Sequence, residues 1–147
     1  MCGLAGFWHP ESTRPAMGLH EAAGRMTDAI VHRGPDDRGT WVDEAAGVAL
    51  GFRRLAILDL SPAGHQPMTT PDGRFTIVFN GQIYNFEALR ADLEARGVRF
   101  RSRSDTEVLL ELFARDGVDC LPRLNGMFAF AIYDARERTL VLVRDRL

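Results

Sequence analysis

Cysteine is scarce in this chain: only Cys2 and Cys120 occur among its 147 residues. The two lie far apart in the sequence and lack the spacing of metal ligands, so they predict neither a disulfide framework nor a zinc site, and they favour a reducing compartment. The four histidines are scattered, without an H-x-x-x-H or similar spacing. The sequence therefore predicts no metal site.

Long apolar runs and a large excess of either charge are also missing. No run approaches the ~18 apolar residues of a membrane span, and the short, glycine-broken apolar start lacks the basic region of a signal peptide. The net charge is −2, with acids and bases interspersed, which gives no reason to expect a nucleic-acid or membrane partner. There is no P-loop and no G-x-G-x-x-G. We therefore expect a cytoplasmic protein of one domain, in which 46% apolar residues form the core.

Hydrophobic periodicity predicts a mixture of strands and helices. Strands are predicted at residues 4–8, 39–42, 47–50, 55–60, 75–79, 126–134 and 139–143, and helices at 19–30, 86–96 and 105–116. Residues 61–73 are predicted to form a long loop. Asn85 is predicted to cap the second helix, and Ser104 with Glu107 forms a capping-box pattern at the third. Because residues 127–133 are apolar on both faces, we expect their sheet to be covered on both sides.

Cys2 directly follows the initiator methionine. Removal of Met1 would place a thiol and a free α-amine on one residue, which is a nucleophile with its own base. Their reference pKa values, about 8.5 and about 7.7–8.0, suit proton exchange between them near neutral pH. The alternative is that cysteine stands at position 2 by chance. Chemistry at Cys2 requires the rest of the chain to supply a binding site and an oxyanion hole.

Three further places in the sequence each have two interpretations, one structural and one functional. Asn80-Gly81 is first a turn signal, but a strand-end asparagine followed by glycine also offers two hydrogen-bond donors to an oxyanion. Arg53-Arg54 offers either a surface cation with a packed stem or a planar fork for a substrate carboxylate. Asp105 is favoured in the first turn of a helix by the helix dipole, and that position is compatible with binding a substrate ammonium.

Eight short motifs are spread in order over nearly the whole chain. They are Met1-Cys2-Gly3, His32-Arg33-Gly34-Pro35-Asp36, Arg54-Leu55-Ala56-Ile57-Leu58-Asp59, Gln66-Pro67-Met68, Asn80-Gly81-Gln82-Ile83-Tyr84-Asn85, Ser104-Asp105-Thr106-Glu107, Leu124-Asn125-Gly126-Met127-Phe128-Ala129-Phe130 and Arg144-Asp145. Together they resemble the glutaminase domain of asparagine synthetases, which are class II amidotransferases of the N-terminal nucleophile hydrolase type. The resemblance implies an α+β fold: an αββα four-layer sandwich of two mainly antiparallel sheets flanked by helices, incomplete at the C-terminus.

The resemblance also implies a role for each matching residue. Cys2 would attack the side-chain amide of glutamine and form a thioester, with Asn80 and Gly81 holding the oxyanion. The substrate's α-carboxylate and α-ammonium would be bound by Arg54, Leu55, Ile57, Leu58, Asn80, Gly81, Gln82 and Asp105. The family commonly has glutamate at the position of Gln82, so we expect weaker binding of the amine here rather than loss of activity.

The resemblance further implies that residues 1–147 form a partial amidotransferase domain. The remaining strands and an ATP-using synthetase domain, in cis or in trans, are expected elsewhere, with ATP and Mg needed only there and no cofactor for the glutaminase step. Aspartate is the expected acceptor of the ammonia, and a homodimer is compatible with the family. The alternative function is a non-catalytic amino-acid-binding or regulatory module that keeps the same fold.

Overall fold

The computed structural model describes residues 2–9, 18–56 and 62–146. The strands in these ranges are β1 (Gly3–Trp8), β2 (Asp37–Asp43), β3 (Val48–Arg54), β4 (Met68–Thr69), β5 (Phe75–Ile83), β6 (Gly126–Asp134) and β7 (Thr139–Arg144). The α-helices are α1 (Leu19–Ala29), α2 (Phe86–Ala95) and α3 (Asp105–Asp116), and short 3₁₀ helices span Val31–Arg33, Pro62–Gly64 and Gly117–Arg123. Within the described ranges, no helix has the length and apolar character that a membrane crossing requires.

The strands form two antiparallel sheets. One has the order β1-β3-β2 and the other the order β4-β5-β6-β7. In the second sheet, β5 and β6 pair along their whole length, from Phe75 opposite Asp134 to Ile83 opposite Gly126. β5 is thus an inner strand of its sheet, paired with β4 on one side and β6 on the other.

The sheets stack face to face, with helices on both outer faces. The core between them comes mainly from β3, β5 and β6 and includes Val48, Leu50, Phe52, Val78, Ala131 and Tyr133. On the outer face of the first sheet, Leu19 and Ala23 of α1 pack against Ala49. On the outer face of the second sheet, α2 and α3 cover a larger apolar cluster. This arrangement confirms the predicted α+β sandwich of four layers, αββα.

The alternation along β6 explains why its sheet is covered twice. Phe130 and Ile132 belong to the cluster beneath α2 and α3, whereas Ala131 and Tyr133 face the first sheet. Because successive side chains of a strand point to opposite faces, an apolar residue at every position needs two apolar partners. The prediction from the sequence is therefore confirmed.

The interpretation of Asn80-Gly81 as a turn is wrong. β5 continues through both residues to Ile83, and they pair with Ala129 and Phe128 of β6. The local turn preference is overridden because the partner strand supplies a hydrogen-bonded neighbour for each residue. Glycine also suits this position sterically, since a Cβ at Gly81 would lie 2.2 Å from the carbonyl oxygen of Met127.

Two predicted loop and strand boundaries also need correction. The region predicted as a loop contains the short strand β4, which pairs with β5 and buries Met68. Leu55 and Ala56, predicted to start a strand, lie beyond the end of β3 in irregular structure, and residues 57–60 are outside the described ranges. A short apolar run does not by itself distinguish a strand from a segment buried by its neighbours.

The capping-box prediction at α3 is confirmed in one half and wrong in the other. The Ser104 hydroxyl accepts a hydrogen bond from the Glu107 backbone N–H at 3.2 Å. The Glu107 carboxylate, however, does not return to Ser104; it accepts from the backbone N–H groups of Arg101 and Ser102 at 2.9 and 2.7 Å. The carboxylate thus fixes the segment that leads into the helix instead of the cap itself.

Asn85 precedes α2, as predicted, but its side chain does not cap the helix. Its amide donates to the carbonyl oxygen of Arg123 at 2.9 Å and accepts from the Asn125 N–H at 3.0 Å. The asparagine therefore joins the start of α2 to the chain that leads into β6.

Candidate active site

A cavity of about 500 Å³ brings together residues from distant parts of the chain. It is lined by seven of the nine residues predicted for the site: Cys2, Arg54, Leu55, Asn80, Gly81, Gln82 and Asp105. The other two, Ile57 and Leu58, lie outside the described residues. No predicted site residue that the structure describes lies away from this cavity.

The Cys2 thiol lies against the backbone of Leu55. Its sulfur accepts a hydrogen bond from the Leu55 N–H at 3.3 Å and lies 3.6 Å from the Leu55 carbonyl oxygen, to which the thiol donates. The Cys2 carbonyl oxygen accepts from Nε of Arg33 at 3.1 Å. The first described residue of the chain is thus held on both sides while remaining only half-buried.

The segment around Asp36 holds the neighbouring part of the site. The backbone N–H of Asp36 donates to the carbonyl oxygen of Arg54 at 3.0 Å, and its carboxylate accepts from the Ala56 N–H at 2.9 Å. These bonds fix the backbone on both sides of Leu55, and so place Arg54 and the contact with Cys2. The motif 32–36 was part of the family resemblance, but no sequence argument assigned it this task.

Asn80 lies on the face of β5 that looks toward the first sheet. Val78, two residues earlier on the same strand, belongs to the core between the sheets, and side chains two apart on a strand share a face. Cys2 also packs against that core, and β1 contacts β5 directly. Asn80 and Cys2 therefore meet at one cavity, although they lie 78 positions apart in the sequence.

Asp105, the first residue of α3, is almost fully buried, with 5% of its surface exposed. Its carboxylate accepts a hydrogen bond from the backbone N–H of Ile83 at 3.0 Å. Burial raises the pKa of this carboxyl, and the bonds from the backbone N–H groups of Ile83 and Thr106 oppose the shift. A cation placed in the cavity beside this carboxylate would favour its ionised form.

The cavity is also lined by residues that were not predicted for it, among them Gln66, Arg144 and Asp145. The carboxylate of Asp145 accepts from the Phe128 backbone N–H at 2.6 Å, which ties the end of β7 to β6. Gln66 binds backbone atoms of β5. All three residues lie in motifs that carry the family resemblance. This resemblance was the one signal in the sequence that could have pointed to them.

No group of three or more histidine, cysteine, aspartate or glutamate side chains that could hold a metal ion occurs among residues 2–9, 18–56 and 62–146. Burial raises the pKa of the Cys120 thiol to about 11. Cys120 is fully buried in the core. The half-buried thiol of Cys2 is therefore the accessible one of the two.

Comparison with known proteins gives a consistent result. The sequence profile of the family described as "Glutamine amidotransferase domain" matches residues 1–147. The chain is 41% identical over 149 residues to asparagine synthetase [glutamine-hydrolyzing] 3 of Bacillus subtilis, covering all of this chain and 24% of the relative. It is also 41% identical over 145 residues to asparagine synthetase [glutamine-hydrolyzing] 1 of the same organism, covering 99% of this chain and 22% of the relative.

Among solved structures, the chain is similar to glutamine phosphoribosylpyrophosphate amidotransferase from B. subtilis. The TM-score is 0.56 at 28% identity, over 68% of this chain and 23% of that protein. The chain spans about a quarter of the length of the curated relatives it matches.

Proposed function

Because the chain belongs to the family of glutamine amidotransferase domains, we propose that it hydrolyses glutamine to glutamate and ammonia through a thioester on Cys2. The observation that carries this proposal is the position of Cys2. Its thiol shares one cavity with the Asn80–Gly81 pair and with two side chains of opposite charge, Arg54 and Asp105. A nucleophile, two oxyanion donors and a binding site for an amino acid are the parts that amide hydrolysis at a cysteine needs.

In the proposed reaction, removal of Met1 frees the α-amine of Cys2, which takes the thiol proton. The sulfur then attacks the amide carbon of glutamine, and a C–S bond forms. The side-chain NH₂ of Asn80 and the backbone N–H of Gly81 donate to the resulting oxyanion. When the tetrahedral intermediate collapses, the α-ammonium returns the proton to the leaving nitrogen and ammonia departs. Water then cleaves the thioester, which releases glutamate and restores the thiol.

Recognition of glutamine uses its two charged ends. We assign the α-carboxylate to the Arg54 guanidinium, with backbone groups of Leu55, Ile57 and Leu58 assisting, and the α-ammonium to Asp105. Since Asp105 is buried, an amino acid without the ammonium would leave the carboxylate without a counter-charge in the cavity. A site of this kind strongly rejects analogues that lack the group it is built to bind.

We further propose that the ammonia is used for ATP-dependent amidation of aspartate, that is, for asparagine synthesis. The support is the similarity to the two asparagine synthetases of B. subtilis. A synthetase domain in cis or in trans would supply that step with its ATP and Mg, whereas the thiol chemistry of the glutaminase step uses no cofactor.

The cytoplasmic location and a homodimer stay predictions. The family match favours the catalytic domain over the non-catalytic module.

The processed N-terminus provides the test of this function. Protein made with a cleavable N-terminal extension, which leaves Cys2 first after proteolysis, should release glutamate and ammonia from glutamine only after cleavage. We expect at least about a 100-fold gain in kcat, because general base catalysis contributes roughly 10²–10⁴-fold. Mass spectrometry verifies the N-terminus of each sample. Equal activity before and after cleavage would contradict the terminal-amine mechanism, and calorimetric binding of glutamine without ammonia release would select the non-catalytic module.

A second prediction concerns Gln82, where the family commonly has glutamate. Gln82→Glu should lower KM for glutamine roughly fivefold, because one more negative charge beside the substrate ammonium contributes about 1 kcal/mol at a partly exposed site. The expected kcat stays within about twofold, since the added charge acts on the bound substrate and the transition state alike. Steady-state ammonia release measures both constants.

The matched control is Ala88→Glu, which adds the same charge on an exposed position of α2 outside the cavity. The control should leave KM unchanged. If both variants lowered KM equally, net charge rather than the site would be responsible, and the assignment of Gln82 to the ammonium would be wrong.

A further inference from the structure

The Gln66 side chain is buried and fully engaged, with only 5% of the residue exposed. Its carbonyl oxygen accepts a hydrogen bond from the Phe79 backbone N–H at 2.6 Å. Its NH₂ group donates to the Phe79 carbonyl oxygen at 3.3 Å and to the Thr106 hydroxyl at 3.2 Å. One carboxamide therefore joins β5 to the first turn of α3.

The register of the sheet explains why a side chain makes these bonds. β4 is antiparallel to β5, with Met68 opposite Ile77. If this pairing continued for two more residues, Gln66 would lie opposite Phe79. The backbone of Gln66 is not part of the ladder, however, because it runs against Gly39, where an added Cβ would lie 1.9 Å from the Gln66 carbonyl oxygen. The carboxamide, which has the same donor and acceptor as a peptide group, takes the place of the missing backbone partner.

These bonds enclose the proposed oxyanion site. α3 is attached to β5 at two places: through Gln66 at Phe79, and through the bond from the Ile83 N–H to the Asp105 carboxylate. The residues between these two attachments are 80–82, all of which line the cavity. On its other side, this part of β5 is held by the ladder with β6. The Gln66 side chain thus binds the backbone of Phe79, the residue of β5 that directly precedes Asn80.

We infer that Gln66 is a positioning residue for glutamine hydrolysis, which holds β5 so that Asn80 and Gly81 meet the oxyanion formed at Cys2. The inference rests on the proposed function of the same cavity. Gln66 acts through Phe79 and does not itself donate to the oxyanion. Its effect belongs mainly to kcat, because Asp105 keeps its own bond to Ile83 and the substrate's charged ends remain bound.

The experiment is steady-state glutamine hydrolysis by Gln66→Glu, with Met1 removed. A carboxylate still accepts from the Phe79 N–H but cannot donate to the Phe79 carbonyl oxygen or to Thr106. We expect kcat to fall about 100-fold, because a misplacement of the reacting groups by ~1 Å has an effect of this size. KM should stay within about threefold. Circular dichroism verifies that the variant is folded at the assay temperature.

The matched control is Thr69→Val. Thr69 of β4 and Thr76 of β5 share a side-chain hydrogen bond of 3.0 Å. Neither residue lines the cavity. The control should keep kcat within about twofold even if its midpoint of thermal unfolding falls as far as that of Gln66→Glu. A fall in kcat that follows the unfolding midpoint in both variants would overturn the inference, since it would show a structural role alone.

A second variant covers the case in which Gln66→Glu does not fold. Thr106→Val removes the hydrogen bond between Gln66 and Thr106 and leaves both bonds from Gln66 to Phe79 in place. We expect a smaller fall in kcat, roughly fivefold, with KM within about threefold. Unchanged kcat in the folded variants, with an active parent protein, overturns the role of Gln66 and leaves the proposed function standing. A parent protein without glutaminase activity overturns both.

Discussion

Cys2→Ala should abolish glutamine hydrolysis, with a fall in kcat of at least about 10³-fold. Removal of a covalent nucleophile has effects of this size or larger, because the remaining groups cannot form the thioester and provide only binding and oxyanion stabilisation. The fold should remain, since both hydrogen bonds of the thiol are to the backbone of Leu55 and the Cys2 side chain is only half-buried. Release of glutamate and ammonia, with the midpoint of thermal unfolding measured alongside, checks the prediction.

The control for this variant is Cys120→Ala. Cys120 is fully buried in the cluster beneath α2 and α3, so its loss should lower the unfolding midpoint and leave kcat unchanged. Iodoacetamide should label Cys2 and spare Cys120, since burial raises the pKa of the Cys120 thiol to about 11 and the thiolate is the reactive form. Glutaminase activity in Cys2→Ala near that of the parent would refute the thioester mechanism.

Asn80→Ala should lower kcat by about 10²–10³-fold, because one of the two donors to the oxyanion is lost. KM should change by less than about threefold, since the donor acts on charge that develops only in the transition state. The strand itself should persist, because β5 remains paired with β6 through its backbone. Steady-state kinetics with glutamine, together with circular dichroism, provides the measurement.

Asn125→Ala serves as the matched control. It removes the same carboxamide from an exposed residue outside the cavity, and kcat should be unchanged. Asn80→Asp adds a further check, because a carboxylate there would repel the oxyanion, and its kcat should be no higher than that of Asn80→Ala. If Asn80→Ala instead raised KM with kcat unchanged, Asn80 would be a binding residue and not an oxyanion donor.

The strands and helices with a clear period were predictable from the sequence. β6 is an example: its continuous apolar run at residues 127–133 requires two covered faces, and Phe130 and Tyr133 are buried on opposite sides of the sheet. The cap at Ser104 was predictable for the same reason, since it depends on residues three positions apart. Where the outcome depended on distant partners, prediction failed: the interpretation of Asn80-Gly81 as a turn and the second half of the capping box at Glu107 were wrong.

The candidate site shows the same division. Cys2, Arg54, Asn80 and Asp105 were selected by residue type and by family resemblance, and all four line one cavity. The resemblance did not reveal what holds them there. Gln66 and Asp36 act through bonds to the backbone of distant residues, and such bonds leave no periodic pattern in the sequence.

By itself, the sequence determined the kinds of chemical group in this protein and the faces of its strands and helices, because residue type and spacing along the chain are local properties. Only the tertiary structure decided that the thiol lies against Leu55, that the Asn80–Gly81 pair lies inside a strand and that a glutamine side chain completes the sheet. The physical reason is that each of these depends on which distant backbone groups remain without partners after the strands have paired, and a buried donor or acceptor without a partner is too unfavourable to persist.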